Sequence, residues 1–202
     1  MRRNLPRSTA SRRRASSAAP PARIILGVDP GTLITGYGVV AKDAGGHLSL
    51  LAAGAIKNSS RLPIPDRLLS IHDGLLAIIR EFTPSEFAIE SSFYGKNAQS
   101  ALKLGQARGV ALLAGMRCGL PCHEYTPREV KQAVVGNGGA GKHQVQYMVR
   151  SLLRVYDRPL VLDTSDAIAV ALCHLHRRIV TTSGSSRTWK AYVTTHPERV
   201  VR

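Results

Sequence analysis

The sequence predicts an α/β domain with a mixed five-stranded sheet flanked by helices on both faces. Three observations carry this. Three strand-like runs come first, separated by turn signals; strand and helix patterns then alternate; and from Leu68 onward apolar residues recur at steps of three and four.

Taken in order, Ile24-Ile25-Leu26-Gly27-Val28 is a short apolar run of buried-strand character that stops at Asp29-Pro30-Gly31. Residues 36–41 and 48–56 read as two further strands. The turn signal Asp43-Ala44-Gly45-Gly46 between them makes an antiparallel meander. Leu68, Ile71, Leu75, Ile78 and Phe82 then mark one face of an amphipathic helix over about residues 65–82. Phe87-Ala88-Ile89-Glu90 is another strand, a long Ala- and Leu-rich helix covers about 97–117, and a fifth strand falls near 122–125. Thr126-Pro127-Arg128-Glu129 has the form of a capping box with proline at the first helical position, so a helix starts at Pro127 and runs to about Val135. After a glycine-rich loop, helices over about 142–155 and 164–177 complete the domain.

The chain has 202 residues, of which 44% are hydrophobic, enough for one sizeable core. We expect a domain over residues 23–178 between a disordered basic tail, 1–22, rich in Arg, Ser, Ala and Pro, and a flexible basic tail, 179–202. The formal net charge is +15. Residues 1–23 hold seven arginines and no acid; without them 21 bases face 13 acids, so the body keeps a net +8. Such a surface favours a polyanion, either nucleic acid or an anionic membrane surface. Three cysteines, Cys118, Cys122 and Cys173, fit neither a disulfide framework nor a four-ligand zinc site, and point to a reducing compartment. The most apolar stretches are too short or too interrupted to span a bilayer, so no membrane segment is expected.

Four acids stand out. Asp29 and Glu90 each end an apolar strand, and Asp163 and Asp166 lie three residues apart at a helix start, near one face. Converging carboxylates repel unless protons or cations compensate, and oxygen-only ligands suit Mg²⁺ or Mn²⁺. Two such ions could activate a water and neutralise charge on a phosphodiester. Taken singly, each acid also has a structural explanation: Asp163 or Asp166 complements the helix dipole, and Asp29 suits the turn before Pro30-Gly31.

With these residues in place the chain resembles the bacterial RuvC-type Holliday junction resolvases of the ribonuclease H-like superfamily, over roughly residues 23–176. The resemblance rests on Ile25-Leu26-Gly27-Val28-Asp29-Pro30-Gly31, Phe87-Ala88-Ile89-Glu90, Ser100-Ala101-Leu102-Lys103-Leu104-Gly105-Gln106-Ala107-Arg108-Gly109, Val130-Lys131-Gln132-Ala133-Val134-Val135-Gly136 and Asp163-Thr164-Ser165-Asp166-Ala167. It implies a ribonuclease H-like fold in which Asp29, Glu90, Asp163 and Asp166 are catalytic ligands of Mg²⁺, two ions per site, with Mn²⁺ as a substitute. It implies a homodimer that makes paired nicks in two like-oriented strands of a four-way DNA junction, leaving 5′-phosphate and 3′-hydroxyl ends, in recombination and repair. The helix after Glu90 resembles the family's dimer element, and a branch-migration complex of RuvA and RuvB is the implied partner. The implied location is the bacterial cytoplasm, at the nucleoid; organellar targeting by the Arg- and Ser-rich start is a minor alternative.

The same resemblance makes Phe93 a junction-contacting aromatic and Lys131 and Lys142 contacts near the scissile phosphate. Lys96, Lys103 and Arg108 are further phosphate contacts to test, although charges on a helix are commonly just solvated. Residues 136–142 nearly spell a nucleotide-binding phosphate loop, but His143 stands where Ser or Thr is needed and a helix precedes it, so we read an anion-binding loop for the DNA backbone, the alternative being a plain helix connector. Two other functions compete: an architectural junction binder without cleavage, and a phosphotransferase suggested by Asp29-Pro30-Gly31-Thr32. The latter needs a longer, two-lobed chain and a second Asp-x-Gly loop.

Overall fold

The computed structural model describes residues 23–91, 98–156 and 162–177. Within them lie β1 (Arg23–Asp29), β2 (Ile34–Lys42), β3 (Leu48–Lys57), α1 (Ile64–Phe82), β4 (Glu86–Glu90), α2 (Ala98–Arg117), β5 (Cys122–Tyr125), α3 (Pro127–Val135), α4 (Lys142–Leu153) and α5 (Leu162–His176). The strands form one sheet in the order β3-β2-β1-β4-β5. The first three make the expected antiparallel meander, and β4 and β5 join parallel to β1.

The strands alternate their side chains between two apolar layers. Leu26, Val28, Val39, Phe87 and Ile89 pack with Ile71 and Leu75 of α1 and Ala107 and Ala111 of α2. Ile25, Val40 and Ala88 face the other way, toward α5 with Val130 of α3 and Val149 of α4. Burying apolar residues on both sheet faces at about 25 cal/mol per Å² is what holds the helices there.

Local signals act as read. Thr126 Oγ1 accepts from the Glu129 amide while Glu129 Oε2 accepts from the Thr126 amide, so the capping box closes both ways at the start of α3. Helix α4 stops at Leu153, two residues short of expectation, because Arg154 turns left-handed (φ 54°) and its amide donates back to Arg150 and Ser151 carbonyls.

Helix α5 is the central element: eleven of its fifteen residues are buried, and it lies directly on β1 and β2. Glycines make that approach possible. A Cβ at Gly27 would lie 2.3 Å from the Ala167 carbonyl oxygen, and one at Gly36 would lie 2.4 Å from that of Asp163.

Candidate active site

Register brings the strand-borne acids together. Val28 pairs with Ile89 across the parallel β1–β4 ladder, so Asp29 and Glu90, one residue further on, end adjacent strands about 4.8 Å apart. Both point to the α5 face, by alternation from Gly27 beneath Ala167 and from Ala88 in the α5 layer. Asp29 also pairs with Gly36 of β2, on which the Asp163 backbone rests. Thus the Gly36 contact seats the first turn of α5, with Asp163 and Asp166, over the strand ends. The positive end of the α5 dipole favours acids in that turn.

The electrostatics register this crowding. The Asp29 carboxyl is pushed up to about 7, first by burial, then by the charges of Glu90, Asp166 and Asp163, while Lys142 alone pulls it down. Lys142 Nζ lies 3.1 Å from Asp166 Oδ2, and this partner holds the ammonium above its ordinary value. Asp29, Glu90 and Asp166 line one cleft with Lys131 and Lys142; Leu104, Val130 and Val145 give it apolar walls. Asp163 does not line the cleft, though its charge reaches Asp29. A donor set of oxygens only, with too little positive charge to balance it, fits a hard divalent cation.

Other predicted contacts fare differently. Phe93 and Lys96 lie outside the described residues. Lys103 and Arg108, on α2, do not line the cleft, and Arg108 pairs with Glu124 of β5. The glycine-rich loop spends several of its amides within itself. Gly138 donates to Gln132 Oε1, Gly139 to Asn137 Oδ1, Ala140 to the Asn137 carbonyl and Gly141 to Gln144 Oε1. The loop is a helix connector whose contribution to the cleft is Lys142.

A second polar cluster escaped the sequence reading. At the opposite end of β4, about 13 Å from Glu90 by strand rise, Glu86 meets His123 of β5 and His174 of α5. Residues so far apart in sequence carried no local signal.

A five-stranded sheet in this order, with acids at the ends of β1 and β4 and at the start of α5, defines a ribonuclease H-like protein. The family model for crossover junction endodeoxyribonuclease RuvC matches residues 25–174. Proteins of that name from Pelobacter propionicus and Shewanella amazonensis are 53% and 54% identical over 80% and 76% of this chain and 92% and 87% of their own. Among solved structures, Thermus thermophilus RuvC superposes with TM-score 0.70 at 35% identity, over 76% of this chain and 93% of that one. The same protein in complex with a Holliday junction substrate gives TM-score 0.71 at 36% identity, over 75% and 92%. The chain belongs to the RuvC family of crossover junction endodeoxyribonucleases.

Proposed function

We propose that this protein is a metal-dependent endonuclease that resolves Holliday junctions in recombination and repair by paired nicks, leaving 5′-phosphate and 3′-hydroxyl ends. The observation that carries the mechanism is that Asp29, Glu90 and Asp166 line one cleft while the charge of Asp163 reaches Asp29, whose carboxyl is raised. Those four carboxylates would hold Mg²⁺, two ions per site with Mn²⁺ as a substitute. When bound, the metal lowers the pKa of a water and neutralises charge on the phosphodiester. Asp29 and Glu90, fixed on adjacent strand ends, orient the donors; Asp163 and Asp166 close the set from α5. Lys142, charged and held at the cleft by Asp166, and Lys131 beside it attract the phosphate. The apolar walls limit water and sharpen these charges.

The nuclease unit is residues 23–178, with the basic segments 1–22 and 179–202 appended. Phe93 stacks on a junction base, and Lys96, Lys103 and Arg108 supply further backbone contacts. The bacterial relatives support a place in the bacterial cytoplasm, at the nucleoid, beside the RuvA–RuvB branch-migration complex. Among the described residues no helix is long and apolar enough to cross a membrane.

Two active sites on one junction require two copies related by a two-fold axis. Helix α2 offers the surface: Leu102, Leu113 and Met116 are exposed along one stripe, with Gly105 and Gly109 open between them. Leu113→Glu should give a monomer by light scattering and separate the paired nicks into single ones.

The direct test is a labelled synthetic four-way junction with Mg²⁺. Symmetric nicks that vanish in Asp29→Asn support the proposal. Binding without nicks, or nicks that Asp29→Asn leaves unchanged, overturns it.

A further inference from the structure

The Glu86, His123 and His174 cluster stands apart from the carboxylate cleft and takes no part in the mechanism above. It lies where the C-terminal end of α5 meets the first residues of β4 and β5. The three potential donor atoms all lie within 4.8 Å of one another. Glu86 divides its oxygens: Oε1 receives Arg23, at 2.8 Å from Nε and 2.7 Å from the terminal nitrogen, while Oε2 faces both imidazoles. His174 Nε2 is 2.8 Å from Oε2, and His123 Nε2 is 3.6 Å from it, too far for a hydrogen bond. In a tetrahedral site with bonds of about 2.0–2.1 Å, neighbouring donors stand about 3.3 Å apart, so these separations bracket the required edge.

From these positions we infer a second metal site, specific for a borderline transition ion of the Zn²⁺ class, bound by Glu86 Oε2, His123 Nε2 and His174 Nε2, with water as fourth ligand. Two imidazoles and one carboxylate select such an ion over Mg²⁺, which takes oxygen donors. The surroundings are those of a ligand set. His174 Nδ1 lies 2.6 Å from the Tyr125 hydroxyl, the outer partner that fixes a ligating ring. Ligation through Nε2 takes the tautomer protonated at Nδ1, with the Tyr125 oxygen accepting that proton. Access is from the His123 side: its side chain is 37% exposed, while that of His174 is fully buried.

Arg23 is the competitor. Its terminal nitrogen sits 3.1 Å from His174 Nε2, so a guanidinium now supplies positive charge beside the place the ion would take. Arg23 opens β1 and is partly exposed, so it can leave Nε2 while keeping Glu86 Oε1. The metal therefore supplements a network that already stands, and pins the end of α5 opposite its acids.

The experiment is a Co²⁺ titration of the tag-free full-length protein, with excess Mg²⁺ to fill the carboxylate cleft, followed by displacement with Zn²⁺. One Co²⁺ per chain is expected, with visible ligand-field bands that Zn²⁺ abolishes. His123→Ala and His123→Asn each remove a ligand from a half-exposed position outside both cores. Both should weaken binding by more than the about 10–100-fold that loss of an outer-shell partner costs, and leave the melting temperature in EDTA unchanged. Absence of stoichiometric Co²⁺ binding, or His123 variants that bind within a few-fold of wild type, overturns the site and leaves a hydrogen-bonded network only.

Discussion

At one end of helix α5 stand four carboxylates with Lys142 as the partner; at the other, Glu86 stands among Arg23, His123 and His174. Glu86 and Glu90 lie on one strand and one face, yet their surroundings differ in sign. The Asp29 carboxyl beside Glu90 is pushed up to about 7, chiefly by burial, whereas histidine and arginine partners outweigh burial and hold Glu86 below its ordinary value. A fold keeps an unbalanced acid cluster only at a cost in stability, so the unbalanced end marks the chemistry. The balanced end joins α5 to β4 and β5 without an ion. Net charge thus distinguishes the end proposed to need a cation from the end whose charges already balance.

The sharpest break of this comparison is Asp29→Asn. With Asp29 as the metal ligand proposed above, its loss should reduce cleavage by at least about 10³-fold, read from single-turnover rates on a four-way junction. The same substitution should stabilise the metal-free protein. A carboxyl whose folded pKa is raised favours the fold below its ordinary value of 3.8 and loses that contribution as pH rises through about 7. Asp29→Asn should therefore raise the unfolding free energy from urea titration in EDTA at pH 8, by up to a few kcal/mol at ~1.4 kcal/mol per pKa unit, and by progressively less toward pH 4.

The other end should respond in the opposite direction. Glu86→Gln leaves Arg23 and the buried His174 without their charged partner, a loss of about 1–3 kcal/mol at pH 8 by urea unfolding. Glu86 and His174 both have lowered folded values, so their contributions are present above 4.5 and 6.5 respectively and are lost as pH falls. The wild-type minus Glu86→Gln difference should hold or grow while His174 gains its proton and shrink only below 4.5, as Glu86 gains its own, while the Asp29→Asn gain fades.

A smaller effect probes the seat that joins the two ends. Gly36→Ala places a methyl against the Asp163 carbonyl and should cost about 1–3 kcal/mol by overpacking. It should also raise the Mg²⁺ concentration for half-maximal cleavage, which a comparable destabilisation far from α5 would not.

Much of the fold was legible in the chain. The apolar run before Asp29, the period of Leu68 to Phe82 and the Thr126–Glu129 box are local signals, and each element forms close to where they place it. The strand-end acids were legible as individuals. Their meeting was not, because it depends on the β1–β4 register and on Gly36 admitting α5, facts of packing between distant segments. The internal bonding of the glycine-rich loop was hidden for a related reason: Gln132, four residues before Gly136, takes up the Gly136 carbonyl and the Gly138 amide. The pairing of Arg108 with Glu124 was equally hidden, because the two lie on different elements.

The most direct test is a crystal structure with Mn²⁺, located by its anomalous signal. Mn²⁺ should be bound by carboxylate oxygens of Asp29 and Glu90 together with Asp163 or Asp166 from α5. Mn²⁺ found only at Glu86, His123 and His174, or carboxylates that stay apart with the ion present, would contradict it.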